Sequence, residues 1–218
     1  MRCLKVSLLR VAVFVSGNGS NLQALLDGLR GEVEFALVLS NKPEAYALVR
    51  AERAGVPTAI VRYEDYSDRT AFTRAILEVV REKAIDLICL AGFNRILDPV
   101  LIEAFPLRIM NTHPALLPAF GGKGMFGRRV HEAVLASGAK VSGATVHFVT
   151  AETDRGPIIL QAAVPVFDGD TPDTLAKRVL AAEHRLYPEA VRLFAAGKLT
   201  VVGNRVHIAP ATGFSHRF

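Results

Sequence analysis

An amide and an imidazole stand two residues apart near the middle of the chain. Asn111 and His113 lie at the carboxyl end of a segment that predicts a strand over 108–112. Side chains alternate along a strand, so these two would point to the same side of the sheet. An amide can polarise a carbonyl group and an imidazole can transfer a proton. The pair indicates an acid–base site, and a purely structural histidine is the alternative.

A carboxylate in a later loop could complete this site. Asp154 precedes Arg155-Gly156-Pro157 between two predicted strands, where it could orient the His113 ring and favour the protonated form of that ring. Aspartate, glycine and proline are also common in turns, so a simple turn aspartate is the alternative. The six histidines form no helical pair with an acid between them, and two cysteines cannot assemble a paired zinc site. We therefore expect no metal.

A second group of residues could bind an anion. The segment Ser-Gly-Asn-Gly-Ser-Asn at 16–21 lies between the first predicted strand and the first predicted helix. Backbone N–H groups and the positive end of the helix dipole point into such a loop, and phosphate is its natural occupant. A tight turn in which Ser20 or Asn21 only caps the helix is the alternative.

Nucleotide cofactors are not expected. Leu22 stands where a dinucleotide-binding motif places its third glycine. The second predicted strand ends in Ser40-Asn41, without the acid that binds ribose hydroxyls. The segment Gly-Lys-Gly at 122–124 lacks the serine or threonine that a triphosphate-binding loop needs after its lysine.

These residues need a scaffold that gathers the ends of several strands. Strand-like apolar segments alternate with segments of helical period, which predicts an α/β protein with a mostly parallel, Rossmann-like open sheet and helices on both faces. Strands are predicted at 11–15, 33–39, 58–61, 87–91, 108–112, 141–149 and 158–166. Helices are predicted at 22–31, where Gly31 would be the cap, then at 45–54, 67–83, 99–105 and 129–136, and from Thr171-Pro172 onward. Pro188 should kink or restart the last helix, and Gly203-Asn204 predicts a hairpin.

The composition sets the wider limits. Half of the 218 residues are apolar and 22% are charged, which is typical of one compact domain over 1–218, with a core at about 11–195 and a hairpin and tail at about 196–218. Apolar runs are too short to span a membrane. The net charge of +5 comes from scattered basic residues, which favours anionic small substrates over nucleic acid. Few cysteines, and a terminus that we expect to be retained, favour a cytoplasmic setting.

Four separated segments resemble one family, the phosphoribosylglycinamide formyltransferases of purine biosynthesis. The segments are 16–23, 91–97, 111–118, and 146–149 leading to 154–157. Each is weak alone and together they are specific. The resemblance extends from about residue 11 to about 194. It implies transfer of the formyl group of the co-substrate 10-formyltetrahydrofolate to the amine of 5-phosphoribosyl glycinamide.

The resemblance also implies roles for particular residues. Asn111, His113 and Asp154 match the catalytic positions. The substrate would be held at its phosphate and ribose by Gly19, Ser20, Asn21 and Glu183. The folate would be held by Arg69, Asn94, Arg95, Ile96, Leu97, Asn111, Thr150, Ala151, Glu152, Thr153 and Asp154. Only small molecules are implied as partners, without nucleic acid or membrane, and the protein would be a monomer or homodimer.

The chain departs from the family pattern at three places. Asn94 stands where the family often has methionine, and Arg155 where it often has glycine or threonine. The glycine-rich segment 121–127 replaces a shorter loop of some members. These departures concern contacts and loop geometry rather than the reaction.

Three other functions are alternatives. A formyltetrahydrofolate deformylase has a similar core but usually an added amino-terminal domain, and a second histidine where this chain has Pro114. A methionyl-tRNA formyltransferase would need a further domain, an Arg-Gly-Ala-Ala-Pro loop and a basic patch for RNA. A noncatalytic phosphosugar-binding module would use the loop at 16–21 alone.

Overall fold

A nine-stranded sheet runs through the computed structural model, which describes residues 8–210. The strands are β1 Arg10–Val15, β2 Glu34–Ser40, β3 Thr58–Ile60, β4 Leu87–Leu90, β5 Ile109–His113, β6 Val141–Phe148, β7 Ile158–Pro165, β8 Leu199–Val202 and β9 Arg205–Ile208. The helices are α1 Ser20–Gly28, α2 Tyr46–Arg53, α3 Arg69–Glu82, α4 Pro99–Ala104, α5 Arg128–Ala136 and α6 Pro172–Ala195, with a short 3₁₀ helix at Tyr63–Asp65.

The strand order is β3-β2-β1-β4-β5-β6-β7-β9-β8. The first five strands in this order are parallel, β6 is antiparallel to both neighbours, β9 is parallel to β7, and β8 is antiparallel to β9. The predicted α/β fold with a mostly parallel sheet is thereby confirmed. As a consequence, the carboxyl ends of β1, β2, β4 and β5 meet at one edge, where open sheets of this kind bind ligands.

Apolar cores cover both faces of the central strands. Val11, Val13 and Val15 pack on the face covered by α1 and α6, while Ala12 and Phe14 pack on the face covered by α3 and α4. A strand covered on both faces must be apolar at every position, which is why these strands appear in the sequence as unbroken apolar runs.

Helix starts follow the predicted caps. The Asp98 side chain accepts a hydrogen bond from the Val100 N–H at 3.1 Å, with Pro99 in the first turn of α4. Thr171 forms a capping box with Thr174 at the start of α6. Side-chain caps of this kind typically contribute about 1 kcal/mol each.

The structure differs from two predictions about helices, the end of α1 at Gly31 and a restart of α6 at Pro188. Helix α1 ends at Gly28 rather than Gly31, although Gly31 does have the predicted positive φ of 77°. Helix α6 continues through Pro188 without a restart. Pro188 is buried against α1, where a Cβ on Gly28 would lie 3.0 Å from the proline Cβ. Packing between the two helices therefore outweighs the hydrogen bond that proline removes.

The predicted hairpin is present, with β8 and β9 joined at Gly203-Asn204. The retained amino terminus and the carboxyl-terminal tail of the predictions fall largely on residues 1–7 and 211–218, outside the described residues. The assignment of one domain to 1–218 stays a prediction. Within residues 8–210, no helix has the length and apolarity needed to cross a membrane.

One buried side chain joins the strand ends to α6. The Tyr187 hydroxyl lies 3.1 Å from the Leu90 carbonyl oxygen and 3.0 Å from that of Met110, in β4 and β5.

We expect Tyr187→Phe to lower the free energy of unfolding by about 1–3 kcal/mol, because buried carbonyls lose a donor. Urea unfolding measures this, with Tyr46→Phe on the exposed surface of α2 as control. Similar small changes in both variants would contradict the prediction.

Candidate active site

Strand β5 presents polar side chains to both faces of the sheet. Asn111 Nδ2 lies 3.3 Å from His147 Nε2, and His113 Nδ1 lies 3.6 Å from Asp154 Oδ2. The intervening Thr112 donates instead to Glu183 Oε1 of α6, at 2.8 Å. Alternation along β5 therefore places Asn111 and His113 in one polar cluster, as predicted, and Thr112 on the opposite face.

His113 is held from two directions. Its ring is only 3% exposed, with Nδ1 facing Asp154 and Nε2 donating to the Phe120 carbonyl oxygen at 2.8 Å. Each ring nitrogen therefore has an acceptor to which it can donate a proton. Asp154 thus lies beside the His113 ring, where the sequence-based hypothesis placed it, and its role in orienting the ring stays a prediction.

Asp154 also anchors the glycine-rich segment 121–127. Its Oδ2 accepts a hydrogen bond from the Gly122 N–H at 2.9 Å, and its φ of 56° lies in the left-handed region. A Cβ on Gly121 would lie 2.4 Å from Leu117 Cδ2 and 3.2 Å from Asp154 Cβ, so a larger residue there would require the Leu117 and Asp154 side chains to shift. The first residues of the segment therefore contact the acid–base pair directly.

His147 belongs to the same cluster, and the sequence-based reasoning did not assign it a role. It is paired with Asn111 across β5 and β6 and is buried. Its Nδ1 donates to the Phe148 carbonyl oxygen at 2.9 Å, so Nε2 is free to accept from the Asn111 amide. Burial lowers the pKa of His147, which keeps the ring neutral and suited to accept. A lone histidine inside an apolar strand was the available signal.

Glu183 lies on the other side of β5. It is 6% exposed, and burial raises the pKa of its carboxyl to about 7, although hydrogen bonds from Thr112 and Asn21 oppose the shift. A cleft of about 250 Å³ borders it, lined by Pro114, Gly127, Arg128, His131, Asp173, Ala176, Leu180 and Glu183. Burial also lowers the pKa of His131, which lines the same cleft. A larger groove of about 430 Å³ lies away from these residues, between α2 and β3.

The segment 16–21, called the glycine loop below, leads into α1, and this helix has no side-chain cap. Gly19 is the N-cap of α1 with a φ of 77°, and a Cβ there would lie 2.6 Å from Ala47 Cβ. No side chain caps this helix, so the alternative in which Ser20 or Asn21 serves only as a cap is wrong. Asn21 Oδ1 is buried without a hydrogen-bond partner. The first N–H groups of α1 thus remain available to a ligand.

A ring of three hydrogen bonds ties three strand ends together. Ser16 Oγ donates to Asn41 Oδ1 at 2.5 Å, Asn41 Nδ2 donates to Asn94 Oδ1 at 3.1 Å, and the Asn94 N–H donates to Ser16 Oγ at 2.9 Å. The segment 94–97 after β4 therefore begins next to the glycine loop after β1. Asn94 Oδ1 is an oxygen acceptor that the methionine often found at this position in the family would lack.

The remaining residues predicted to hold a folate lie around this edge. Arg69 begins α3 and lies 3.5 Å from Asp98 Oδ2, while Arg95 donates to Glu64 Oε1 at 2.8 Å and its guanidinium stacks on a tyrosine ring. Ile96 is exposed and Leu97 is buried. Between β6 and β7, Thr150 is half-buried, and Ala151, Glu152 and Thr153 are exposed. The two arginines contact acidic side chains rather than the His113 cluster.

The fold and the site together define an α/β protein with a histidine–carboxylate pair at the carboxyl edge of its sheet. Residues 9–191 match the family described as Formyl transferase. With most of its length covered by this match, the chain belongs to the formyl transferase family.

Curated relatives agree with this assignment. The chain is 46% identical over 198 residues to a trifunctional purine biosynthetic protein adenosine-3 of Bos taurus, covering 89% of this chain and 19% of the relative. It thus spans about a fifth of the length of that relative. It is 40% identical over 201 residues to a phosphoribosylglycinamide formyltransferase of Escherichia coli (strain K12), covering 90% of this chain and 92% of the relative.

Solved structures share the fold. A glycinamide ribonucleotide transformylase 1 of Symbiobacterium toebii is 49% identical with a TM-score of 0.89, covering 93% of this chain and 95% of the other. A formyltetrahydrofolate deformylase of Pseudomonas syringae has a TM-score of 0.85 at 24% identity, covering 94% of this chain and 67% of the other. The latter similarity concerns the fold alone. The family resemblance read from the sequence is confirmed.

The buried Glu183 carboxyl makes stability depend on pH. Its pKa rises from 4.5 to about 7 in the folded protein, so the unfolded chain loses this proton first and gains stability relative to the folded state as pH rises. Glu183→Gln removes this titration. We expect the variant's free energy of unfolding, minus that of the wild type, to grow between about pH 4.5 and 7, by on the order of 3 kcal/mol.

Urea unfolding at several pH values measures this difference. Glu78→Gln, at an exposed glutamate of α3, is the control for loss of one carboxylate. A difference for Glu183→Gln that stays constant across the interval would show that the carboxyl does not titrate there.

Proposed function

We propose that the protein is a phosphoribosylglycinamide formyltransferase of purine biosynthesis. It would transfer the formyl group of 10-formyltetrahydrofolate to the amine of 5-phosphoribosyl glycinamide. The observation that carries the proposal is the convergence of Asn111, His113 and Asp154 at the carboxyl edge of a formyl transferase sheet. Relatives with this name match nearly the whole chain at 40% identity or above.

The cluster supplies the groups that formyl transfer needs. Attack of the amine on the formyl carbon forms a C–N bond and a tetrahedral oxyanion, and collapse breaks the bond from that carbon to the folate nitrogen. The amine gives up a proton and the folate nitrogen gains one. Asn111 would donate from its amide to the oxyanion, and His113 would donate a proton to the oxyanion or the leaving nitrogen.

His113 Nε2 would be the nitrogen that serves the substrate. Nδ1 faces Asp154, which would hold the ring in its donating form. Nε2 donates to the Phe120 carbonyl oxygen, so the substrate would take the place of that carbonyl. His147 acts as a positioning residue here, because its Nε2 fixes one hydrogen of the Asn111 amide and leaves the other for the oxyanion.

The acceptor substrate would bind across the strand ends. Gly19, Ser20 and Asn21 would hold its phosphate at the uncapped start of α1, and Glu183 would accept hydrogen bonds from its ribose hydroxyls. A carboxyl buried beside the cleft suits hydroxyl donors, because these satisfy it without a second charge.

The folate would lie on the neighbouring side of this edge. A flat heterocycle fits a site with apolar walls and a few backbone polar groups, and Ile96 and Leu97 would contribute apolar surface. Those that would hold it are Arg69, Asn94, Arg95, Ile96, Leu97, Asn111 and Thr150, Ala151, Glu152, Thr153 and Asp154. No metal and no nucleotide cofactor take part in this proposal. The monomer or homodimer state stays a prediction.

A single assay separates this function from its alternatives. The protein is incubated with 10-formyltetrahydrofolate, with and without 5-phosphoribosyl glycinamide, while tetrahydrofolate and free formate are measured. Amine-dependent tetrahydrofolate release without formate supports the transferase. Formate release without the amine would identify a deformylase, and no turnover would favour a noncatalytic phosphosugar-binding module.

His113→Ala tests the acid–base role. We expect turnover to fall about 100-fold to 10,000-fold, because a proton-transfer group contributes in that range. His207→Ala, at an exposed histidine of β9, is the matched control and should keep wild-type turnover. Thermal melts accompany both assays. An activity loss in His113→Ala that merely parallels a loss of folded protein would contradict the proposed role.

Ser20→Asp tests the phosphate loop. A carboxylate at the start of α1 repels a bound phosphate, so we expect weaker binding of 5-phosphoribosyl glycinamide and unchanged folate binding. Calorimetric titration measures both affinities. Thr200→Asp adds the same charge on the exposed strand β8 and should change neither. Unchanged acceptor affinity in Ser20→Asp would rule out phosphate binding at this loop.

A further inference from the structure

Helix α2 contacts the glycine loop through one arginine. Arg50 Nε donates to the Asn18 carbonyl oxygen and Arg50 Nη2 donates to Asn18 Oδ1, each at 2.9 Å. Arg50 Nη1 donates to Gln23 Oε1 of α1 at 3.2 Å. The guanidinium thus holds both the backbone and the side chain of the residue in the middle of the loop, and also the helix that follows it.

The rest of α2 supports the same contact. The Ala47 N–H donates to the Gly17 carbonyl oxygen at 3.0 Å. A Cβ on Gly19 would approach Ala47 Cβ to 2.6 Å, so the loop lies directly against the first turn of α2. The conformation of Gly17 to Gly19 is therefore set by contacts with α2 as well as by α1.

Within the described residues the charge of Arg50 faces neutral groups, among them the Tyr46 ring, whose centre lies 5.1 Å from the guanidinium carbon. None of the ion pairs among residues 8–210 includes Arg50. Its three side-chain hydrogen bonds all go to neutral oxygens of Asn18 and Gln23. A full positive charge is thus held at the loop whose following N–H groups, at the start of α1, already favour an anion.

We propose that Arg50 is a positioning residue for the acceptor's phosphate. It fixes the loop at 17–21 in its binding conformation and adds a positive charge beside it. This inference rests on the phosphate site of the proposed function and assigns that site a residue from a different helix. Arg50 donates its hydrogen bonds to the loop, and the loop's backbone N–H groups bind the phosphate.

Ordering of the loop and the added positive charge can be distinguished by experiment. A loop with two glycines has many unbound conformations, and a planar guanidinium that holds two oxygens of Asn18 reduces the ordering cost of binding. Lysine keeps the charge but cannot form this two-pronged contact. Glutamine keeps a donor but loses the charge. The charge part weakens as salt rises, because added ions screen it.

The test compares Arg50→Gln and Arg50→Lys with Arg53→Gln. Arg53 is the matched control, since it lies on the same helix with the same charge and contacts the Tyr46 hydroxyl at the surface instead of the loop. Steady-state assays vary each substrate in turn. Calorimetry measures binding of 5-phosphoribosyl glycinamide, its dephosphorylated riboside, and ribose 5-phosphate at two salt concentrations.

We expect Arg50→Gln to raise KM and Kd for the phosphorylated acceptor about tenfold, as for loss of a charge-assisted contact. Arg50→Lys should be intermediate. Turnover at saturation and KM for 10-formyltetrahydrofolate should stay within about twofold, because the change concerns ground-state binding. Affinity for the dephosphorylated riboside and every value for Arg53→Gln should match the wild type.

Three results would overturn the proposal. Unchanged acceptor affinity in Arg50→Gln would show that Arg50 does not serve the phosphate. An equal loss for the dephosphorylated riboside would show a merely structural role, and an equal loss in Arg53→Gln would show an effect of net charge. If the wild type transfers no formyl group, the proposed function fails, yet the ribose 5-phosphate titrations still decide the role of Arg50.

Discussion

Burial of polar side chains at the strand ends is the constraint on which the site depends. His113 and His147 are almost fully buried, where an unpaired polar group costs about 1–3 kcal/mol. Each therefore needs partners inside the protein: His113 contacts the Phe120 carbonyl oxygen and Asp154, and His147 contacts the Phe148 carbonyl oxygen and Asn111. These contacts form where β6 lies antiparallel beside β5 and the loop at 149–157 brings Asp154 to His113. The geometry proposed for proton transfer thus coincides with the pairing of these buried groups.

Because side chains alternate along β5, residues with different proposed roles lie on opposite faces of the sheet. Thr112 contacts Glu183 on the side of α6, whereas Asn111 and His113 face Asp154. A phosphoribosyl substrate held by α1 and α6 would therefore place its amine across the end of β5 to reach the formyl donor. Because Tyr187 of α6 is hydrogen-bonded to β4 and β5, the helix that carries Glu183 is fixed relative to that strand end.

Local signals in the sequence account for most of the fold. Apolar runs mark the central strands because both faces are covered, and the Asp98-Pro99 pair marks the start of α4 because capping depends on neighbouring residues only. What depends on distant packing could not be predicted. Pro188 lies inside a continuous helix because α1 packs against it, and His147 joins the site only through its register with Asn111.

The glycine-rich segment is tied to the same two groups that the proposed chemistry uses. The Phe120 carbonyl oxygen accepts from His113 Nε2, and the Gly122 N–H donates to Asp154. In the proposed reaction, substrate would replace the first contact, whereas the second could persist because it engages the carboxylate rather than the proposed proton donor. Glycines at 122, 124 and 127 have positive φ and contribute no side-chain packing, so rearranging this segment disrupts few apolar contacts. The carbonyl satisfies the buried His113 Nε2 in this structure, and in the proposed reaction the reacting atoms would take its place. The proposed proton donor would therefore be paired both before and after substrate binds.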